Sequence, residues 1–147
     1  MLTLAGLRYR NVLAEHGGPI ASIEVSEWPA LGERRFQANA HLREGLVTRR
    51  RELSLYGSAD GSGTDASPLI ARYMAISECM ERWAYHALVN SPERAQFGFD
   101  FDNSSNGMAA FPGLTPREAR RRARFEAIER TSLFDWWEGR CAAQLEA

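Results

Sequence analysis

GSADGSGTDASPLIARYMAISECMERWAYHALVN, residues 57–90, decides how the rest of the chain is read. Its opening, 57–67, is rich in Gly, Ser and Asp, the composition of a loop. Ser67 then precedes Pro68: a serine suits a helix N-cap, and proline suits the first helical position because its missing N–H would be unpaired there anyway. From Pro68 onward apolar residues recur at helical spacing with no interior Gly or Pro, and Ser91-Pro92 closes the run. A loop followed by a capped helix over 68–90 is expected.

The same design recurs downstream. Thr115-Pro116 repeats the cap-then-proline start, and Glu118 stands three residues after Thr115, the spacing of a capping box. The helix is expected to run to about Glu138, with Gly139 as its stop. Placing Pro68 under Pro116 aligns the two helices without a gap, at an offset of 116 − 68 = 48. Ala71 falls on Ala119, Arg72 on Arg120 and Ala75 on Ala123. Glu78, Glu81 and Arg82 fall on Glu126, Glu129 and Arg130, so each unit carries E-x-x-E-R. Two copies are too few for a solenoid, which buries its core between neighbouring repeats. The duplication points instead to a pseudo-symmetric site with two equivalent helices facing each other.

Residues three and four apart share a helix face, so each Glu-Glu-Arg set clusters. The alanines one and two turns earlier leave room for close approach. Facing helices would bring four carboxylates together. Like charges about 4 Å apart repel by about 4 kcal/mol at an effective dielectric of ~20, so such a cluster recruits arginines or binds cations. Hard oxygen donors favour Mg²⁺, which completes its shell with water and substrate phosphates. That reasoning leads to a nucleotide–magnesium site, with backbone N–H groups of the glycine-rich segment and of the Asn-Ser-Ser-Asn-Gly loop offered to phosphates at helix N-termini. A single E-x-x-E-R, by contrast, is ordinarily a solvated face held by an i,i+4 ion pair.

The remaining chain completes a mixed α+β domain. Residues 1–18 give no clear element and end in Gly17-Gly18. PIASIEV (19–25) and RRFQANAHL (34–42) alternate as half-buried strands, the second with Phe36, Ala38, Ala40 and Leu42 on one face. GLVTRRRELSLY (45–56) is expected to be another strand, FGFDF (97–101) a short one, and DNSSNGMAAFPG (102–113) a second polar loop. The chain is thus one domain over 1–147: a strand-rich part (1–56), a first loop–helix motif (57–92) and a second strand–loop–helix motif (97–140).

Composition narrows the function. With 147 residues, 44% hydrophobic and 25% charged, the chain can bury a core of its own. A net charge of −1 argues against a dedicated nucleic-acid module. No apolar run is long enough to span a membrane, and no basic stretch precedes the apolar start, so neither a membrane helix nor a signal peptide is expected. Cys79 and Cys141 are the only cysteines and are read as reduced thiols of a cytoplasmic protein. His16, His41 and His86 follow no metal-ligand spacing.

SSNGMAAFPGLTPREARRRARFEAIERTSLFDWW resembles the second ATP motif of YcaO domains: S-S-N-G-x-A-A, then T-x-x-E-A, then E-x-x-E-R and a tryptophan-rich tail. GSGTDASPLIARYMAISECMERWAYHA resembles the first motif, with Gly61-Ser62-Gly63 where family members often place a lysine. The resemblance covers about residues 57–140. It implies a mixed α/β fold whose two E-x-x-E-R helices hold ATP and Mg²⁺. Glu78, Glu81, Glu126 and Glu129 would then be Mg²⁺ ligands, Arg82 and Arg130 would contact phosphates or orient the carboxylates, and Glu118 would be a second-tier nucleotide-binding residue, since the capping box already accounts for it. Many members phosphorylate a backbone amide oxygen of a peptide after a Cys, Ser or Thr side chain or an external sulfide has added to the carbonyl. Azolines, thioamides and amidines result; other members are linked to methylthiolation of a ribosomal protein. YcaO domains generally run to several hundred residues, so the resemblance also implies a truncated or partial member. Such a chain would be inactive alone, and its uncovered apolar surface would favour a partner protein or a homodimer. The rival expectation is a non-catalytic remnant that binds a peptide or partner.

Overall fold

The structure, a computed structural model, describes residues 5–30, 32–46, 59–89, 91–92 and 115–140. Its fold is mixed α+β, as expected: a three-stranded antiparallel sheet carrying a long helix on one face. In chain order the elements are α1 (Ala5–Asn11), a 3₁₀ turn (Ala14–His16), β1 (Ile20–Ala30), β2 (Glu33–Leu42), β3 (Gly61–Asp65), α2 (Pro68–Val89) and α3 (Pro116–Trp137). Strand order is β1-β2-β3.

The two alternating segments form the hairpin β1–β2, paired through Val25↔Ala38, Glu27↔Phe36 and Ala30↔Glu33. On β2 the alternation is visible in the burial: Ala38, Ala40 and Leu42 are buried, while Asn39 and His41 between them are half-buried. The expected strands at 45–56 and 97–101 and the polar loop at 102–113 lie outside the described residues, apart from a turn at 44–45.

The stretch expected to be a loop, 57–67, contains strand β3 instead. Gly61 pairs with Ala40 and Gly63 with Ala38. The reason for the glycines is α2, which crosses the strand at backbone distance. A Cβ on Gly61 would sit 2.3 Å from the Cys79 nitrogen and 2.4 Å from the Ala75 oxygen; one on Gly63 would sit 2.5 Å from the Ala71 oxygen. Loop-like composition here reflects close helix-on-strand packing, a recognised use of glycine inside strands.

Helix α2 starts where expected. The Ser67 carbonyl accepts the Ala71 N–H at 3.0 Å, and the Asp65 side chain accepts the Ser67 N–H at 2.8 Å. Ala71, Ala75 and Cys79, one per turn, are fully covered and form the face that meets β3 and β2. What approaches these alanines is therefore the protein's own sheet. The core comprises Ile20, Ala38, Ala40 and Leu42 from the sheet with Ala71, Ala75, Ile76 and Cys79 from α2. Four of these eight residues are alanine, so proximity of backbones rather than bulky side chains fills the space. Helix α1 is pinned to α2 by Tyr9, which stacks on Tyr73 (4.2 Å between ring centres) and shares a 3.0 Å hydrogen bond with Ser77.

Helix α3 begins at Pro116 as the sequence indicates, but only the threonine half of the expected capping box forms. Thr115 Oγ1 accepts the Glu118 N–H at 3.1 Å; the Glu118 carboxylate pairs with Arg122 at 3.0 Å. Glu138 caps its far end, donating to the Phe134 carbonyl, and Gly139 follows in the left-handed conformation at φ 68. No residue of α3 is buried among the described residues.

The hairpin carries its own ion pair. Glu27 accepts from Arg34 Nε at 2.6 Å and from Nη2 at 2.7 Å, a fork that matches guanidinium to carboxylate. Those hydrogen bonds, with the Arg34 charge adding and desolvation opposing, hold the Glu27 carboxyl below the ordinary glutamate value of 4.5. A lowered folded-state pKa gives stabilisation present above the unfolded value and lost as pH falls through the folded one. Both groups are exposed, so salt screens this contribution. In an NMR titration the Glu27 midpoint is expected below 4.5 and should rise in Arg34→Ala; an unmoved midpoint would contradict the fork.

Candidate functional site

The first E-x-x-E-R segment sits where β3 meets α2. One Glu78 oxygen accepts from Arg82 Nη2, one helical turn away. Its other oxygen accepts the Ser62 N–H at 2.7 Å and lies 3.2 Å from the Ser62 hydroxyl, which also donates to it. Arg82 Nη1 reaches the Asp60 carbonyl at 3.4 Å, and Arg82 Nε is buried without a hydrogen-bond partner. Asp60 in turn accepts the Leu42 N–H at 2.7 Å through its carboxylate. The result is a continuous chain of contacts from the end of β2 through Asp60, Arg82 and Glu78 to β3. Glu81 lies half-buried on the next part of α2.

The second segment has the same internal pair on a barer surface. Arg130 donates to Glu126 at 2.9 Å, matching Arg82 and Glu78 in its i,i+4 spacing. Glu126, Glu129 and Arg130 share one open surface with Arg122 and Phe125. All five residues belong to α3. Glu118 lies two turns earlier, engaged with Arg122.

The structure thus gathers Glu78 with Arg82 at the β3–α2 junction, and separately Glu126, Glu129 and Arg130 on the surface of α3. Among the described residues α3 does not pack extensively on α2, and no three Asp, Glu, His or Cys side chains are grouped to hold a metal ion. Each half presents hard carboxylate oxygens of the kind Mg²⁺ takes, already neutralised in part by an arginine. A cation arriving at Glu78 would compete with Arg82 or with Ser62, because both carboxylate oxygens are engaged there; at Glu126 it would compete with Arg130.

The glycine-rich segment differs from expectation here as well. The Ser62 N–H, expected to face phosphate, donates to Glu78. Ser62 and Asp60 are the site residues that sequence reasoning passed over, because 57–67 read as a loop. The alternation Gly61-x-Gly63, directly before a helix with Ala71 and Ala75 one turn apart, is the signal of a strand under that helix.

Cys79 is buried in the core, while Cys141 lies outside the described residues. Among the described residues no helix is long and apolar enough to cross a membrane. Comparison with family models, with curated proteins and with solved structures finds no match to this chain.

Proposed function

We propose that this chain is a YcaO-like domain that binds ATP and Mg²⁺ through its two E-x-x-E-R helices and activates peptide backbone amides by phosphorylation. The product would be an azoline or thioamide, or the domain would support ribosomal-protein methylthiolation. The observation that carries the reading is the matched pair of helices. Both α2 and α3 are 22 residues long, both open on proline, and both hold a half-buried Glu–Arg pair at the same position. In this reading Glu78, Glu81, Glu126 and Glu129 supply the Mg²⁺ ligands, while Arg82 and Arg130 turn toward phosphate once the cation replaces them. A peptide or protein is the substrate, and the setting is cytoplasmic.

A second reading has its own support: a non-catalytic module that binds a peptide or partner. Phe125, Ile128, Leu133, Phe134, Trp136 and Trp137 of α3 are all exposed, a density of large apolar groups that marks interaction surfaces.

Calorimetric titration with ATP, with and without Mg²⁺, separates the two. Binding that requires Mg²⁺ is the expected result. Absence of binding at millimolar ATP and Mg²⁺ would overturn the nucleotide reading and favour the second.

A further inference from the structure

The first half of α3 carries arginines at 117, 120, 121 and 124, the i, i+3, i+4, i+7 spacing of one helix face. All four are exposed. None makes an ion pair among the described residues: Glu118 is taken by Arg122 and Glu126 by Arg130. This placement is unfavourable twice over. Like charges three and four apart on one face repel, and Arg117, in the first turn, also faces the positive end of the helix dipole. Four guanidinium groups without an ion pair among the described residues are complementary to an anionic partner.

The shape of the surface narrows the partner. The four arginines form one open surface of α3 that continues onto Phe125 and Ile128, which are 62% and 61% exposed. The stripe from Arg117 to Ile128 is about 16 Å long at 1.5 Å per residue, enough for a short peptide segment. A duplex backbone offers charge but no apolar group for the lower end of this surface; a single strand would stack bases on Phe125, and the oligonucleotide control decides that case. An interfacial membrane helix sets its basic and apolar residues on opposite faces; here Ile128 continues the arginine stripe.

We infer that this face of α3 is a docking surface for an acidic polypeptide segment that carries an apolar or aromatic residue beside its acidic run. The arginines take the carboxylates in forked hydrogen bonds, and Phe125 with Ile128 receives the apolar side chain. The inference does not depend on nucleotide binding, because it is tested without ATP.

The test uses the full chain and fluorescence anisotropy at about 0.15 M salt. The probe is a labelled peptide of aspartate and glutamate ending in phenylalanine and leucine. Controls are its Asn/Gln counterpart, a single-stranded oligonucleotide of equal charge, and phosphatidylserine vesicles. The acidic peptide is expected to bind best and to weaken as salt rises. Arg120→Gln with Arg124→Gln should weaken it about tenfold, as expected for two lost charge pairs. Phe125→Ala should weaken binding while leaving the salt dependence intact. Equal binding of the Asn/Gln peptide, tighter binding of the oligonucleotide or the vesicles, or indifference to the double arginine variant would each overturn the proposal.

Discussion

Gly63→Val is expected to destabilise the protein by about 3 kcal/mol or more, the upper range for overpacking a tight core. The added Cβ would lie 2.5 Å from the Ala71 oxygen and 2.8 Å from the Ala75 nitrogen, both backbone atoms of α2. A flexible side chain could swing aside, but a helix backbone cannot yield without lifting off the sheet. That would uncover Ala38, Ala40 and the fully covered face of α2, the centre of the core. Valine otherwise favours strands, so propensity alone predicts the opposite sign. Thr64→Val is the control, since Thr64 is exposed on the next position of β3 and should change stability by under ~1 kcal/mol. Urea denaturation of the two variants reads the difference. Equal stability of Gly63→Val and the unsubstituted protein would mean that α2 does not press on β3.

That same packing explains where sequence reading succeeded and where it missed. Helices α2 and α3 were legible because local rules set them: a hydroxyl residue before proline opens each, and Gly139 marks the end of the second. Strand β2 was legible because Phe36, Ala38, Ala40 and Leu42 alternate with polar residues, and one face of a sheet strand has period two. Strand β3 was not, because Gly61 and Gly63 carry no apolar side chains to reveal which face is buried. Their identity is fixed by a partner that lies close only after folding. Ser62 was hidden for the same reason: once 61–65 is a strand beside α2, its N–H meets Glu78. Ala71 and Ala75 were recognised as sites of close approach, yet no local signal distinguishes a strand from a ligand as the visitor. The spacing that singles out Glu78, Glu126 and their arginines is a helix property, so both ion pairs could be anticipated from sequence. How the two sets are used depends on chemistry beyond helix periodicity.

The duplicated glutamates are expected to differ sharply in stability while agreeing in function. Glu78→Ala removes the acceptor for the Ser62 N–H, the Ser62 hydroxyl and Arg82 at once. Hydrogen bonds to a charged acceptor contribute about 1.5–3 kcal/mol when shielded and less where water competes. With the Glu78 side chain 34% exposed, a loss of about 1–2 kcal/mol is expected. Glu126→Ala removes a single pair with Arg130 on a helix that buries nothing among the described residues, and should cost about 0.5 kcal/mol or less. Thermal unfolding checks this asymmetry directly. Glutamine at the same positions keeps a hydrogen-bond-accepting oxygen but removes the charge that a magnesium ion requires, so Glu78→Gln and Glu126→Gln should fold well. If both helices serve one nucleotide, each glutamine variant weakens Mg²⁺-dependent ATP binding, and the pair together weakens it by about a hundredfold, or roughly 2.7 kcal/mol. A Glu126→Gln protein that binds Mg²⁺ and ATP as well as the unsubstituted chain would leave Glu126 and Arg130 as a surface ion pair, with any nucleotide held elsewhere. A loss confined to Glu78→Gln would place the nucleotide at the β3–α2 junction alone and dissolve the idea of two equivalent halves.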